Sequence, residues 1–559
     1  MKTKYIKKII AVALKKARYK ILISICISIF VTGSRIILPK LLNLIIDKAQ
    51  NQQIIKNVIE LSLLYLCLAV GSSCLKIVLG NIYVSIKKEI GMYYRENVLE
   101  KLPLLSGKFF SNIKSGDLYS LYESDIYKIE NLGIDFFLDI LGEMLTIVFS
   151  LMLLFLIDVK MALILVILEI FLIIIQRLYS KRIANKTKEA RKKFGKVSDI
   201  VQEYINNITN IILSKSTMFL SKKIFKEQEE MIEQEKELEY IVNINGGIGE
   251  IFTGIITIFI YGYGAYKIIQ KELTVGNLIA MQQYVWMILG PSIFLLRANV
   301  KLNQSMISVQ RIYEFMEEPI LNTNRDGKEI DEITSVQFND CYFKYDDKYI
   351  FNGISFKVEK GESIAIVGEN GSGKTTIIKL LYGLWSVEKG QIYINETIDI
   401  RELDISKIRN KMGIVSQDVF IFDDSIYNNI TLGKKIDNNI VWEILSDVGL
   451  ESFINELPDG LETVVGEKGA KLSGGQRQKI AIARVLLDEV DVLILDEATS
   501  ALDISTQKYL VKRLKKYLKD KIVIIIEHRD ELIKEVNYIM ALENGVGKII
   551  KNDELEKFI

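Results

Sequence analysis

Ser363-Ile364-Ala365-Ile366-Val367-Gly368-Glu369-Asn370-Gly371-Ser372-Gly373-Lys374-Thr375-Thr376 is the stretch on which the reading of this chain turns. Its first five residues are a continuous apolar run of the length of a buried strand. The remainder is G-x-x-x-x-G-K-[ST] followed by a helical pattern, the strand–loop–helix setting in which that spacing carries chemistry. Glycines let successive backbone N–H groups curl around phosphate oxygens, and the helix start adds its dipole. Lys374 supplies a point charge for the outer phosphates, and Thr375 a hydroxyl for Mg²⁺. The expected phosphate-binding set is Gly368, Asn370, Gly371, Ser372, Gly373, Lys374, Thr375 and Thr376.

Further along, Val492-Leu493-Ile494-Leu495-Asp496-Glu497 is an apolar strand that ends in two carboxylates. At the end of a parallel strand beside a phosphate loop, Asp496 suits Mg²⁺, and Glu497 suits the water that attacks a γ-phosphate, as general base. The plainer alternative is that both acids only start a helix at its dipole. Between the two motifs lies Leu472-Ser473-Gly474-Gly475-Gln476-Arg477-Gln478, where a serine and two glycines open a second helix able to hold an anion.

Upstream the chemistry changes. Up to about residue 305 long apolar runs dominate, and six are long enough for a bilayer: about 21–46, 58–85, 132–157, 161–180, 244–269 and 277–300. Eight basic residues between Lys2 and Lys20 place the N-terminus in the cytoplasm by the positive-inside rule, and an even number of spans returns the C-terminal domain there. The segments 86–131 and 181–243 are long, charged and poor in breakers. They read as helices continuing beyond the membrane, kept in water by charges such as Glu233 and Glu237 beside lysines, with a turn or short helix for the reversal at Ser115-Gly116-Asp117 and within Asn206–Ser216. Domains are expected at 1–315 and 330–559.

The 559 residues combine 49% hydrophobic with 25% charged residues, a mixture that this division resolves. A net charge of +2 implies no affinity for nucleic acid. Cys26, Cys67, Cys74 and Cys341 form no metal-like C-x-x-C and read as small buried hydrophobes.

With these motifs in place, Leu472–Gln476 resembles the signature of the ABC ATPases, and the whole chain resembles an exporter-type ABC half-transporter: a six-helix all-α membrane domain followed by an α/β cassette. The resemblance implies roles for further residues. Tyr345 would stack on adenine. Gln417, in Val415-Ser416-Gln417-Asp418, would be the glutamine that senses Mg²⁺. Ser473, Gly474, Gly475 and Gln476 would meet ATP, Ser500 and Asp503 belong to the D-loop, and His528, the only histidine, would be the switch residue. Leu273–Leu278, Pro291 and Ser308–Ile312 match the family's membrane domain, as does Gly116-Asp117, where such proteins place a coupling helix. Glu527 departs from the pattern, standing where a small residue is usual.

In the family, ATP is sandwiched between the phosphate loop of one cassette and the signature of another. The resemblance therefore implies a dimer, a homodimer given that every motif is intact, with a heterodimer as the alternative. It further implies ATP and Mg²⁺ as cofactors, a location in the plasma membrane of a bacterial cell among its lipids, and export of a hydrophobic or amphipathic peptide, lipid or drug. Import through the same fold stays open. Charged and polar groups within spans are candidates for the cargo cavity, namely Glu143, Glu169 and Gln282. They read either as an acidic wall for a cationic cargo or as partners of Arg35, Lys40 and Lys76.

Overall fold

The structure, a computed structural model, describes residues 2–50, 55–321, 328–527, 533 and 536–551. Two compact units emerge, one of Met1–Leu99 and Ser115–Glu317, the other of Glu100–Lys114 and Glu318–Ile559.

The first unit is helical because its apolar runs contain few breakers, and because a segment in hydrocarbon must satisfy its own N–H and C=O groups. Helices α1 (Lys2–Gln50), α2 (Ile55–Lys101), α3 (Gly107–Asn112), α4 (Ser115–Ser120), α5 (Ile126–Glu130), α6 (Ile134–Ile157), α7 (Val159–Asn206), α8 (Ile208–Leu213), α9 (Thr217–Ile269) and α10 (Val275–Glu317) follow in order. A single π-turn, Leu121–Asp125, joins α4 to α5. Among the described residues, six helical stretches are long and apolar enough to cross a membrane. Side chains such as Leu66, Ile77, Leu156, Ile167 and Ile258 are exposed along them, which is where lipid would lie. Leu154, Met161, Leu165, Ile260, Met281 and Tyr284 form the interior seam instead. α1 leaves helical geometry at Ala17 (φ −127°, ψ 30°), which separates its lysine-rich start from the apolar span.

The long extensions hold together in a way the sequence reading did not anticipate. Lysines of α7 pair across to acids of α9, Lys186 with Glu237 at 2.7 Å, Lys193 with Glu230 at 2.5 Å and Lys196 with Glu227 at 2.5 Å. Cross-helix partners replace many of the expected same-helix ones because two antiparallel helices place their charged stripes face to face. The second reversal uses α8, within the expected segment. The first uses a short helix at the expected place: Ser115-Gly116-Asp117 opens α4, and residues 100–114 before it pack with the cassette as part of the second unit. Pro103 sits in a 3₁₀ turn that ends α2, and Ser106 caps α3 by accepting from the Phe109 N–H. The Gly107 N–H then donates to the Leu384 carbonyl at 2.7 Å, and the Leu321 N–H to the Leu104 carbonyl at 2.7 Å.

The cysteine expectation holds in one case only: Cys341 is buried, whereas Cys26, Cys67 and Cys74 lie exposed on the spans. They occupy outward faces, where lipid tolerates a small apolar group as readily as a core does.

In the second unit, β1 (Ser335–Tyr345), β2 (Lys348–Glu359), β4 (Lys389–Ile394) and β5 (Ile398–Asp399) form an antiparallel sheet in the order β2-β1-β4-β5. A six-stranded sheet in the order β10-β9-β3-β8-β7-β6 contains β3 (Ser363–Val367), β6 (Met412–Val415), β7 (Val492–Asp496), β8 (Ile522–Ile526), β9 (Tyr538–Glu543) and β10 (Val546–Lys551). All neighbours in it are parallel except β9 and β10. Every residue of β7 and β8 is buried, as expected of parallel strands covered on both faces. The covering helices are α11 (Lys374–Leu381), α12 (Ile405–Asn410), α13 (Ile426–Thr431), α14 (Asn438–Asp447), α15 (Glu451–Asn455), α16 (Gly474–Leu486) and α17 (Ile504–Leu518). Because β3, β6, β7 and β8 run in one direction, their carboxyl ends align and deliver the loops that follow to one edge.

Candidate functional site

The loop after β3 turns on glycine. Gly373, at the N-cap of α11, has φ +105°, and a Cβ there would stand 2.5 Å from the Ile350 side chain and 2.7 Å from the Phe351 ring. Both conformation and space therefore require a residue without a side chain. Lys374, the next residue, is buried, and its Nζ donates to the carbonyls of Gly368 at 2.7 Å and Glu369 at 2.9 Å. Burial pulls its pKa down, and the charges of Glu497 and Asp496 work against that. The Ser372 hydroxyl is buried without a partner, a polar group poised for a phosphate oxygen. Gly368, Asn370, Gly371 and Ser372 line a cleft of about 770 Å³ with Tyr349, Ile350 and residues 542–545. Thr375 is exposed beside the loop, whereas Thr376 is buried 3.4 Å from the Tyr345 hydroxyl. The Tyr345 ring meets Trp385 edge-on at 4.9 Å, with the Lys379 ammonium 5.8 Å from its centre.

Two strands away, Asp496 and Glu497 leave β7. Asp496 is buried, and burial first, then the neighbouring Glu497 charge, holds its carboxyl above the ordinary range, opposed by Lys374 and Lys379. Glu497 adopts φ +48°, unusual for a residue with a side chain and costly without a reason. The Glu497 N–H donates to the Ile526 carbonyl at 2.9 Å, and its carboxylate accepts from Gln417 Nε2 at 2.6 Å. The strained backbone thus aims the carboxylate at the loop after β6.

Ser473, Gly474, Gly475 and Gln476 start α16 with a reciprocal cap. The Ser473 hydroxyl accepts from the Gln476 N–H at 3.2 Å, and the Gln476 side chain accepts from the Ser473 N–H at 2.7 Å. A Cβ at Gly475 would meet the Ala501 carbonyl at 3.3 Å and Leu502 at 3.2 Å, so this helix start packs directly on the D-loop. Asp503 caps α17 through the Thr506 N–H at 2.9 Å. Residues 473–476 do not line the phosphate cleft.

The sequence reading missed the side chains that lock this region. Gln478 donates to the Ser500 hydroxyl at 3.0 Å and accepts from the Ala501 N–H at 3.0 Å, tying the signature helix to the D-loop. Thr499 donates to Glu527 at 2.5 Å and accepts from Gln507 at 3.1 Å, all three being buried. The departure at Glu527 therefore serves as a buried acceptor that holds the D-loop to the end of β8. A carboxylate directly after an all-apolar strand was the signal for it. His528, the expected switch residue, lies outside the described residues.

In the membrane unit, Glu143 pairs with Arg35 at 3.1 Å, the pairing alternative for this acid. Glu169 is buried at 3% exposure, with one carboxylate oxygen lacking a hydrogen-bond partner. Gln282 accepts from the Tyr261 hydroxyl at 2.7 Å. The three candidates are therefore separate contacts, and no wall joining them is seen among the described residues. Asp125 is a further buried polar group: it accepts from Ser308 at 2.6 Å and pairs with Arg311 at 2.9 Å.

Comparison with known proteins agrees with this geometry. Residues 351–500 match the family profile described as ABC transporter, and residues 21–292 match the ABC transporter transmembrane region. YgaD of Bacillus subtilis, named for multidrug export, is 31% identical over 471 residues, spanning 82% of this chain and 80% of that protein. A Staphylococcus aureus ATP-binding/permease protein, likewise named for multidrug export, is 28% identical over 95% of this chain and 94% of its own length. The solved structure of a bacterial Atm1-family ABC exporter with ATP bound shares the fold, at a TM-score of 0.82 and 22% identity over 97% of this chain and 96% of that one.

Proposed function

The chain belongs to the ABC transporter family, a multi-pass membrane ATPase that couples hydrolysis to transport, and from that premise we propose that two copies build each ATP site between them. The observation that carries this is the separation of the two anion cradles. The phosphate loop opens on the cleft, and Ser473–Gln476 stand elsewhere in the same chain, so the signature that closes a bound ATP comes from a partner.

Within such a site the loop from Gly368 to Thr376 holds the phosphates, with the Lys374 ammonium moving from its carbonyl partners to the phosphate oxygens. Tyr345 lies against the base. Glu497 takes a proton from water as the water oxygen bonds the γ-phosphorus and the bond to the ADP oxygen breaks. Gln417, already at the Glu497 carboxylate, orients that group. The donors fit Mg²⁺: a hydroxyl from Thr375, an amide oxygen from Gln417 and the buried Asp496, whose raised pKa records an anion without enough positive charge nearby. When bound, the ion supplies charge neutralisation at the phosphates. His528 is proposed to contact the γ-phosphate, and Ser500 and Asp503 to meet the partner's cassette.

ATP favours the closed pair, hydrolysis favours separation, and the membrane helices alternate between two arrangements as that equilibrium shifts. The relatives named for multidrug export support export of a hydrophobic or amphipathic compound from a bacterial cell. The lysines before Tyr19 support a cytoplasmic N-terminus and cassette. The test is Glu497→Gln in the full-length protein in nanodiscs. Turnover should fall by about a hundredfold or more while ATP stays bound, and normal hydrolysis would remove Glu497 from its role.

A further inference from the structure

Three helices of the membrane unit border an open cavity of about 370 Å³ that sets polar and basic side chains among apolar ones such as Ile183, Val242 and Ile293. Gln176, Ser180 and Thr187 come from α7, Asn245 from α9, and Arg297 and Lys301 from α10. Each set recurs at helical spacing, so each helix turns one face to the same space. Arg297 and Lys301, four residues apart, form no ion pair among the described residues, and the Lys301 ammonium lies 5.2 Å from the Phe136 ring. Three other basic side chains of this unit are used differently: Arg35, Lys87 and Lys267 each face a carboxylate. The Gln176 amide donates to the Asn245 carbonyl at 3.4 Å, and the Asn245 side-chain oxygen is buried without a partner, so the cavity still carries an unmet hydrogen bond.

Position adds meaning. In the sequence the apolar run of α10 reaches Leu296, and Arg297 follows it directly. The apolar run of α7 likewise ends near Gln176, so the cavity lies at the edge of the hydrocarbon, with Ile293 on its inner side. Both cations are exposed to this space at the edge of the hydrocarbon, where an anion can reach them. Arginine offers a planar fork for a carboxylate, phosphate or sulfonate, and lysine adds a second charge.

We propose that this cavity receives the anionic headgroup of an amphiphile, with the apolar part lying against the spans, and that the cargo of the transporter is therefore of that class. This rests on the transport reading above. The charge is opposite to the one that Glu143 and Glu169 would suggest, since those acids are paired or packed away and these bases are not.

The experiment uses the full-length protein in phosphatidylcholine nanodiscs and three fluorescent dansyl-undecyl probes: a carboxylate, its methyl ester and a trimethylammonium. The wild type should bind the carboxylate, and raise its ATPase with it, more strongly than either other probe. Arg297→Gln with Lys301→Gln should weaken the carboxylate by about tenfold or more and leave the ester unchanged, while the charge-keeping pair Arg297→Lys with Lys301→Arg retains binding. If the double glutamine variant does not fold, each single variant should show part of the loss. Adding phosphatidylglycerol to the nanodisc identifies the source. Competition with the probe in wild type alone assigns the site to a bilayer lipid, and its absence assigns it to an amphiphile from water. Equal carboxylate binding by wild type and the glutamine variants, or preference for the trimethylammonium probe, overturns the proposal. Basal ATPase separates this failure from the larger one: a wild type that hydrolyses no ATP counts against the transport reading, whereas active protein without a charge preference counts against the cavity alone.

Discussion

The cassette and the membrane unit treat their charged residues in contrasting ways. In the cassette, Lys374, Asp496 and Glu497 converge from two parallel strands, each perturbed or strained by the others' presence, and the space before them is left open. In the membrane unit several charges within or beside the spans are cancelled where they stand, as with Arg35 and Glu143 or Lys87 and Asp135. The cavity of Arg297 and Lys301 resembles the cassette in keeping charge without an ion-pair partner among the described residues beside open space. Uncompensated charge costs free energy, so its retention marks where a ligand completes the balance.

The strongest challenge to that contrast is Asp496→Asn, which should abolish ATP hydrolysis and also change stability with a defined sign. Its carboxyl is held above the ordinary range, so the folded cassette binds the proton more tightly than the unfolded chain. The contribution favours folding at pH below the ordinary carboxylate value and becomes a cost as pH rises through the raised one. The asparagine variant should therefore melt higher than the parent at neutral pH, with the gap closing on acidification. A lower melting temperature at neutral pH would mean that Asp496 is already compensated.

Next in size is the lock behind the catalytic edge. Thr499→Val removes the hydrogen bond to Glu527 and should cost about 1 kcal/mol of cassette stability in thermal unfolding of the full chain, with slower turnover and an unchanged KM for ATP. Glu527→Gln made alone keeps an acceptor oxygen for the Thr499 hydroxyl and should retain most of both. The smallest effect is expected from a cancelled surface pair. Glu230→Gln, facing Lys193 on the exposed extensions, should alter stability less than Thr499→Val does, and less still at high salt. An effect larger than that of Thr499→Val would reverse the ranking of the two regions.

The same contrast explains what could be read from the residues alone. The phosphate loop is legible because its chemistry is local: Gly373 needs a left-handed backbone, Lys374 follows it, and the strand before it aims both. The six spans are legible because hydrocarbon imposes length and composition. The clamp of Thr499, Gln507 and Glu527 joins residues that no spacing relates, and the basic cavity joins three helices whose polar residues look like ordinary span ends one at a time. The place of residues 100–114 was illegible for a similar reason, since they are defined by what they pack on rather than by turn residues of their own.

The claim that each ATP site is shared between two chains admits a direct test by complementation. Lys374→Ala disables the phosphate loop, and Gly474→Glu places a carboxylate in the signature's anion cradle. Co-expressed with different tags and purified through both, a mixed dimer retains one intact loop facing one intact signature. It should hydrolyse ATP well above either parent homodimer, both of which should be inactive. Turnover of the mixed dimer no higher than that of the parents would contradict the shared site.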